Sequence, residues 1–328
     1  MVWFWAALLA ISILLYVLLD GFDLGVGMLF GVARDEPQRR AMMSAVAPIW
    51  DGNETWLVVS GVILWGAFPL VYSIVMSAFY LPVLLMLAGL ILRGVAFEYR
   101  NQQQRTRPIW TAAFAGGSFV AAFMQGLMVG ALVEGLPVAG DRYTGGPFGW
   151  LSPFAVLCGV GLCIAYVLNG ACWLVRKTDG EVREEAYRRI PYLSLVLLVF
   201  LVILFVFSLA EHLRVMHHWL DRPYLFVFPV VGVLAAIVLA SSVRRRQDGP
   251  PFIMGTLIFL MAFCTFALSF WPYMIPFTVT IKQAAAPHSS LAFLFWFAGI
   301  IVFPLMLIYT AINLSVFKGK VPSGDEGY

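Results

Sequence analysis

Charge is scarce in this sequence. Asp, Glu, Lys and Arg make up 12% of its 328 residues, about half the share of a soluble domain. Histidine is scarcer: His212, His217, His218 and His288 all fall at or beyond the ends of apolar runs. A heme buried among helices needs axial ligands such as His, Met, Cys or Tyr. Methionines are plentiful, but in helices Met mostly fills space. Cys158, Cys163, Cys172 and Cys264 lie inside apolar runs with no C-x-x-C spacing, so they read as small buried hydrophobes. There is no Walker loop, dinucleotide fingerprint or Cys/His metal cluster. A net charge of +3 gives no reason to invoke nucleic acid. Together these absences exclude redox or nucleotide chemistry carried by this chain alone.

Apolar length is abundant. Hydrophobic residues reach 61% and mean hydropathy is +0.88, the composition of an all-α integral membrane protein. A membrane helix needs about 20 predominantly apolar residues to cross ~30 Å of hydrocarbon. Nine stretches qualify: 2–30, 50–72, 75–99, 110–133, 151–175, 190–210, 224–243, 252–271 and 291–317. Pro69, Pro272 and Pro276 mark helix ends, because proline cannot continue the hydrogen-bond ladder. The second and third stretches therefore form a tight hairpin. Alternate loops carry sixteen Lys and Arg on one side and four on the other, which puts the N-terminus outside and the C-terminus inside. With no basic region ahead of it, the first stretch reads as a retained helix, not a cleaved signal. Residues 1–328 read as one membrane domain, and the tail Pro322 to Tyr328 as frayed. Helices one to four and five to eight have similar lengths, a weak hint of duplication without a residue-level repeat.

Three acidic or basic motifs interrupt the apolar runs. The first is Asp20-Gly21-Phe22-Asp23-Leu24-Gly25-Val26-Gly27, toward the inner half of the first helix. Asp20 and Asp23 share a face, and Gly21 and Gly25 form a small-xxx-small pair that admits another helix closely. An aspartate at a helix centre costs about 2.5–3.5 kcal/mol on insertion scales, so neither should face lipid. The second is Trp50-Asp51-Gly52-Asn53-Glu54-Thr55-Trp56, at the inner entrance of the second helix. Asp51 lies one turn before Glu54 and Thr55. Either Asp51 or Asn53 caps the helix, or the acids are kept to move protons. The third is Arg93, the one basic residue inside an apolar run. A buried guanidinium and several acids at similar depth should meet in the bundle interior. That network either fixes packing alone or leaves one acid titratable for proton relay.

These motifs, with Ala47-Pro48-Ile49 before the second and Gly94-Val95-Ala96-Phe97-Glu98-Tyr99-Arg100 after Arg93, resemble subunit II of the cytochrome bd quinol oxidases. The short length is similar to the cyanide-insensitive branch. The resemblance implies two four-helix bundles (within 1–135 and 150–272) plus a peripheral ninth helix (290–317). It implies a partner, subunit I, carrying heme b, heme d and the quinol site, with none ligated by this chain. Quinol and dioxygen are then the substrates of the complex, in the bacterial plasma (inner) membrane. The aspartate of the Trp-Asp-Gly-Asn motif, here Asp51, is associated in that family with proton delivery. Glu54 stands where other members carry Gln, which adds a titratable group or alters the route. Asp20 and Asp23 would assist, Arg93 would balance charge, and Trp56 either lines an oxygen route or packs. Small accessory membrane subunits and a bound quinone or lipid stay open.

The rival from another class is a proton-coupled membrane transporter, which would carry acids at corresponding positions in both halves. The second half has no counterpart to Asp20 or Asp51, which counts against it. A structural scaffold is the third reading.

Overall fold

The computed structural model describes residues 1–100, 102, 104–210, 219 and 222–321. His212, His217, His218 and the tail from Pro322 lie outside the described residues. Helix α1 (Val2–Gly31) buries one stripe over its first half, then every residue from Asp20 to Gly27. A helix covered on all sides must let neighbours come close, which is what its glycines permit. A Cβ at Gly25 would overlap the Tyr166 carbonyl.

The short helix α2 (Glu36–Ser44), not expected from hydropathy, is capped by Asp35, whose carboxylate accepts from the Gln38 amide at 2.9 Å. Helix α3 (Trp50–Ala67) begins where expected but stops five residues before residue 72. Pro69 is the reason: lacking an N–H, it opens a new helix, α4 (Pro69–Tyr99), and Phe68 breaks the ladder at φ −134, ψ 58. Helix α4 also bends at Phe79 (φ −114, ψ 21), because Pro82 cannot donate to the turn before it.

Helix α5 (Arg107–Glu134) ends at Gly135, whose φ of 97° suits glycine. A two-stranded hairpin follows, β1 (Val138–Ala139) with β2 (Arg142–Tyr143). Helix α6 (Pro153–Lys177) is capped by Ser152. Helix α7 (Gly180–Ala210) starts ten residues before the expected 190. Its charged first turns are held by Arg189–Glu185 (3.0 Å) and Arg183–Asp248 (2.6 Å). A 3-10 turn (Pro223–Phe226) leads into α8 (Val227–Arg244), then α9 (Pro250–Ser269). A second hairpin, β3 (Tyr273–Ile275) with β4 (Val279–Thr280), leads to α10 (Ile281–Ala284). The last apolar stretch comprises α11 (His288–Leu294), a π turn (Phe295–Gly299) and α12 (Val302–Val316).

Eight helical stretches are long and apolar enough to cross a bilayer: α1, α4, α5, α6, α7, Pro223–Arg244, α9 and His288–Val316. Helix α3 is not among them, since its 18 residues open with Asp51, Asn53 and Glu54. Helix α1 packs on α3, α5 and α6; α4 lies on α5, α7 and α9 on α6, α8 on α9, and the last helix on α3. Both hairpins sit at one end of the bundle. The other end carries α2, the α6–α7 and α8–α9 turns and Lys320.

Candidate functional site

The acid-bearing stretch of α1 meets α3 and α4 in the bundle interior. Arg93 of α4 donates from Nη1 to Asp20 Oδ1 at 2.6 Å, and its Nη2 lies 3.8 Å from Asp23 Oδ2. All three side chains are fully buried. Asn53 of α3 donates from Nδ2 to the same Asp23 oxygen at 2.7 Å. Asn53 therefore spends its amide on an acid of a neighbouring helix, and no side chain caps α3; the N-cap residue is Ile49. Trp50 stacks on Phe97 with centroids 4.8 Å apart, and the Arg93 guanidinium lies 5.9 Å from the Trp50 ring centre. That aromatic wall helps keep the guanidinium away from lipid.

The expected residues divide by depth. Asp51 is exposed, Glu54 is half-buried, and Asp20, Asp23 and Arg93 are at the centre. Thr55 donates its hydroxyl to the Asp51 carbonyl at 2.9 Å, closing the first turn. Four charged-group atoms, Asp20 Oδ2, Asp23 Oδ1, Arg93 Nε and Arg93 Nη2, have no hydrogen-bond partner among the described residues. Buried polar atoms of this kind are normally satisfied by internal water. Trp56 is fully buried and donates from Nε1 to Thr310 Oγ1 at 3.1 Å, so it packs α3 against the last helix.

Three features were not expected from the sequence. Gln125 of α5 bridges two buried tyrosines, donating to Tyr16 at 2.7 Å and accepting from Tyr166 at 2.9 Å. As a lone amide in an apolar run, Gln125 was visible and could have been flagged. Arg100 is fully buried, over the Phe30 ring, and donates to Glu36 at 2.8 Å. Burial pushes the Glu36 carboxyl up, but the Arg100 hydrogen bond and the charges of Arg100, Arg107 and Arg39 together outweigh it and hold it below its ordinary value. Thr310 and its neighbours on the last helix reach α3, a contact that hydropathy cannot indicate. Among the described residues no group of three His, Cys, Asp or Glu is placed to hold a metal ion.

Comparison with known proteins matches residues 1–317 to the family model described as cytochrome bd terminal oxidase subunit II. The chain is 29% identical to the cytochrome bd-I ubiquinol oxidase subunit 2 of Escherichia coli K12, over 98% of this chain and 95% of that one. It is 30% identical to a probable cytochrome oxidase subunit 2 of Haemophilus influenzae, over 96% and 92%. Its fold matches a chain in the structure of bd oxidase from Geobacillus thermodenitrificans with TM-score 0.75, 16% identity and coverage of 95% and 98%.

Proposed function

We propose that this chain, which belongs to the cytochrome bd terminal oxidase subunit II family, supports assembly of a quinol:oxygen oxidoreductase and delivers protons to its oxygen-reducing site. The names of the relatives support the complex: each is the second subunit of an oxidase, and the Escherichia coli protein is that of a ubiquinol oxidase. The chain is then a multi-pass protein of the bacterial inner membrane. Helix α3 makes the ninth span, in two four-helix bundles plus a last helix, with the N-terminus outside and the C-terminus inside. Heme b and heme d belong to subunit I, where they supply electron transfer and oxygen reduction.

One observation carries the proton reading: half-buried Glu54 stands one turn from exposed Asp51 and next to Asn53, whose amide holds buried Asp23. Asp51 collects a proton from the inner water. Glu54 takes it one turn further along α3. Asn53 holds Asp23 in place, and Arg93 pairs with Asp20 beside it. Water bound to the unpartnered oxygens and nitrogens of this cluster gives the proton somewhere to go.

The test is Asp51→Asn and, separately, Glu54→Gln in the assembled oxidase. Heme content, read from the visible spectrum, should stay at the wild-type level. Quinol-driven oxygen consumption should fall about 10²-fold, the low end of what a positioned proton donor contributes. Full activity in both variants ends the relay reading, and loss of heme makes the network structural.

A further inference from the structure

We infer that Tyr309 and Asn313, on the last helix, are positioning residues at the mouth of the acid cluster, holding the water from which Asp51 takes its proton. The inference rests on the relay reading above and extends it to an element that carries no acid.

From Phe295 to Val316 the last helix is apolar except for Tyr309, Thr310, Asn313 and Ser315. Tyr309, Thr310 and Asn313 fall within one turn on one side of the helix. That side lies on the polar start of α3. A Cβ built at buried Gly52 would sit 3.1 Å from a Tyr309 ring carbon and 3.2 Å from both the Tyr309 hydroxyl and Asn313 Nδ2. Gly52 joins Asp51 to Asn53, so the phenol and the amide lie over the peptide between the exposed acid and the buried network. A side chain at this position would press on both and make them shift by a few tenths of an ångström. One turn along, the Trp56–Thr310 hydrogen bond of 3.1 Å pins the register.

The register has a visible origin. The Ile300 amide donates to the Phe295 carbonyl at 3.0 Å, the wider spacing of a π turn. One extra residue rotates everything after it by about 100°, and here the rotation brings the polar residues of the last helix onto α3. Thr310 is used up in packing. The side chains of Tyr309 and Asn313 make no hydrogen bond to another described residue, and Tyr309 is half exposed. Helix-to-helix adhesion alone would tie these groups to each other or to backbone. Instead their donors and acceptors are left without a partner among the described residues, beside the residue that follows Asp51. The charged groups near that entrance are Asp51 and Glu54 on α3, Asp20 and Asp23 on α1, and Arg93 on α4. The last helix adds none.

The experiment measures quinol-driven oxygen consumption against pH in the intact complex carrying Tyr309→Phe, Asn313→Leu or, as a packing control, Thr310→Val. Slower proton capture bites first where protons are scarce. The alkaline limb should therefore move to lower pH by about one unit in the first two variants, a loss of about tenfold well above it. Their heme content should be unchanged, and Thr310→Val should not move the limb. An unmoved limb in both variants, or a uniform loss accompanied by heme loss, overturns the inference. If Asp51→Asn and Glu54→Gln are silent in the same assay, the relay reading falls with it. If those acids respond and the last helix does not, only this inference falls.

Discussion

Arg93 and Arg183 each sit between two carboxylates, in opposite surroundings. Arg93 holds Asp20 at 2.6 Å and Asp23 at 3.8 Å, all without solvent exposure. Arg183 holds Asp248 at 2.6 Å and Glu184 at 3.3 Å at the basic end of the bundle, with about a quarter of its side chain exposed. Around Arg183 the pairs are shared and exchangeable: Lys320 also binds Asp248 (2.9 Å) and Asp179 (2.6 Å), and Arg246 binds Glu184 (2.6 Å). If one partner is lost there, water and a neighbour replace it. Around Arg93, Asn53 holds one acid, and little else can replace a missing charge. The same chemistry is therefore adhesive at the water-facing end and decisive in the buried interior.

The comparison breaks most visibly at Arg93. Arg93→Met strands two buried carboxylates, a cost of about 3–5 kcal/mol. The expected outcome is loss of assembled, heme-bearing complex, measured as heme per purified complex. Adding Asp20→Asn to that variant should restore part of the yield, because the stranded charge is reduced. If Arg93→Met assembles normally, the buried cluster is no different from the exposed one.

At the other end, Lys320→Ala should cost about 1 kcal/mol or less and leave turnover unchanged, with its effect confined to the tail. That tail is held by the Val321 amide donating to the Lys177 carbonyl at 2.8 Å and by Lys177 donating to the Phe317 and Gly319 carbonyls. The smallest effect is one of pH. Burial pushes the Asp248 carboxyl up, but hydrogen bonds from Arg183, Lys320 and Tyr187 outweigh it and hold it down to about 2. Its contribution is thus complete above the ordinary aspartate value of about 3.9 and is lost as pH falls through about 2. Pepsin, active across that window, should cut after Phe317 faster as the pH drops, and Lys320→Ala should abolish much of the pH dependence. A cleavage rate independent of pH would show that the strap does not depend on Asp248.

Much of this was legible in the order of residues. Apolar length located every long helix, and Pro69 announced the α3–α4 break, although α3 ends before it rather than at residue 72. The meeting of Arg93 with Asp20 and Asp23 followed from the cost of leaving any of them in lipid. The start of α7 was hidden because Glu181 to Arg189 is polar and Pro191 looks like a boundary, whereas i,i+4 pairing and Asp248 keep that segment helical. Asn53 read equally well as a cap, since nothing local distinguishes a cap from a cross-helix donor. The contact of Tyr309, Thr310 and Asn313 with α3 depends on a π turn, and register of that kind is set by three-dimensional packing.

The glycines of α1 also limit how the molecule can move. Gly25 lies against the Tyr166 carbonyl and Gly170, and Gly126 of α5 against the backbone of Cys158 and Gly159, so the first and second halves touch main chain to main chain. A carrier must rock one half against the other in every cycle, and here that motion would have to part these main-chain contacts each time. The same line suits a subunit whose two halves keep one fixed arrangement.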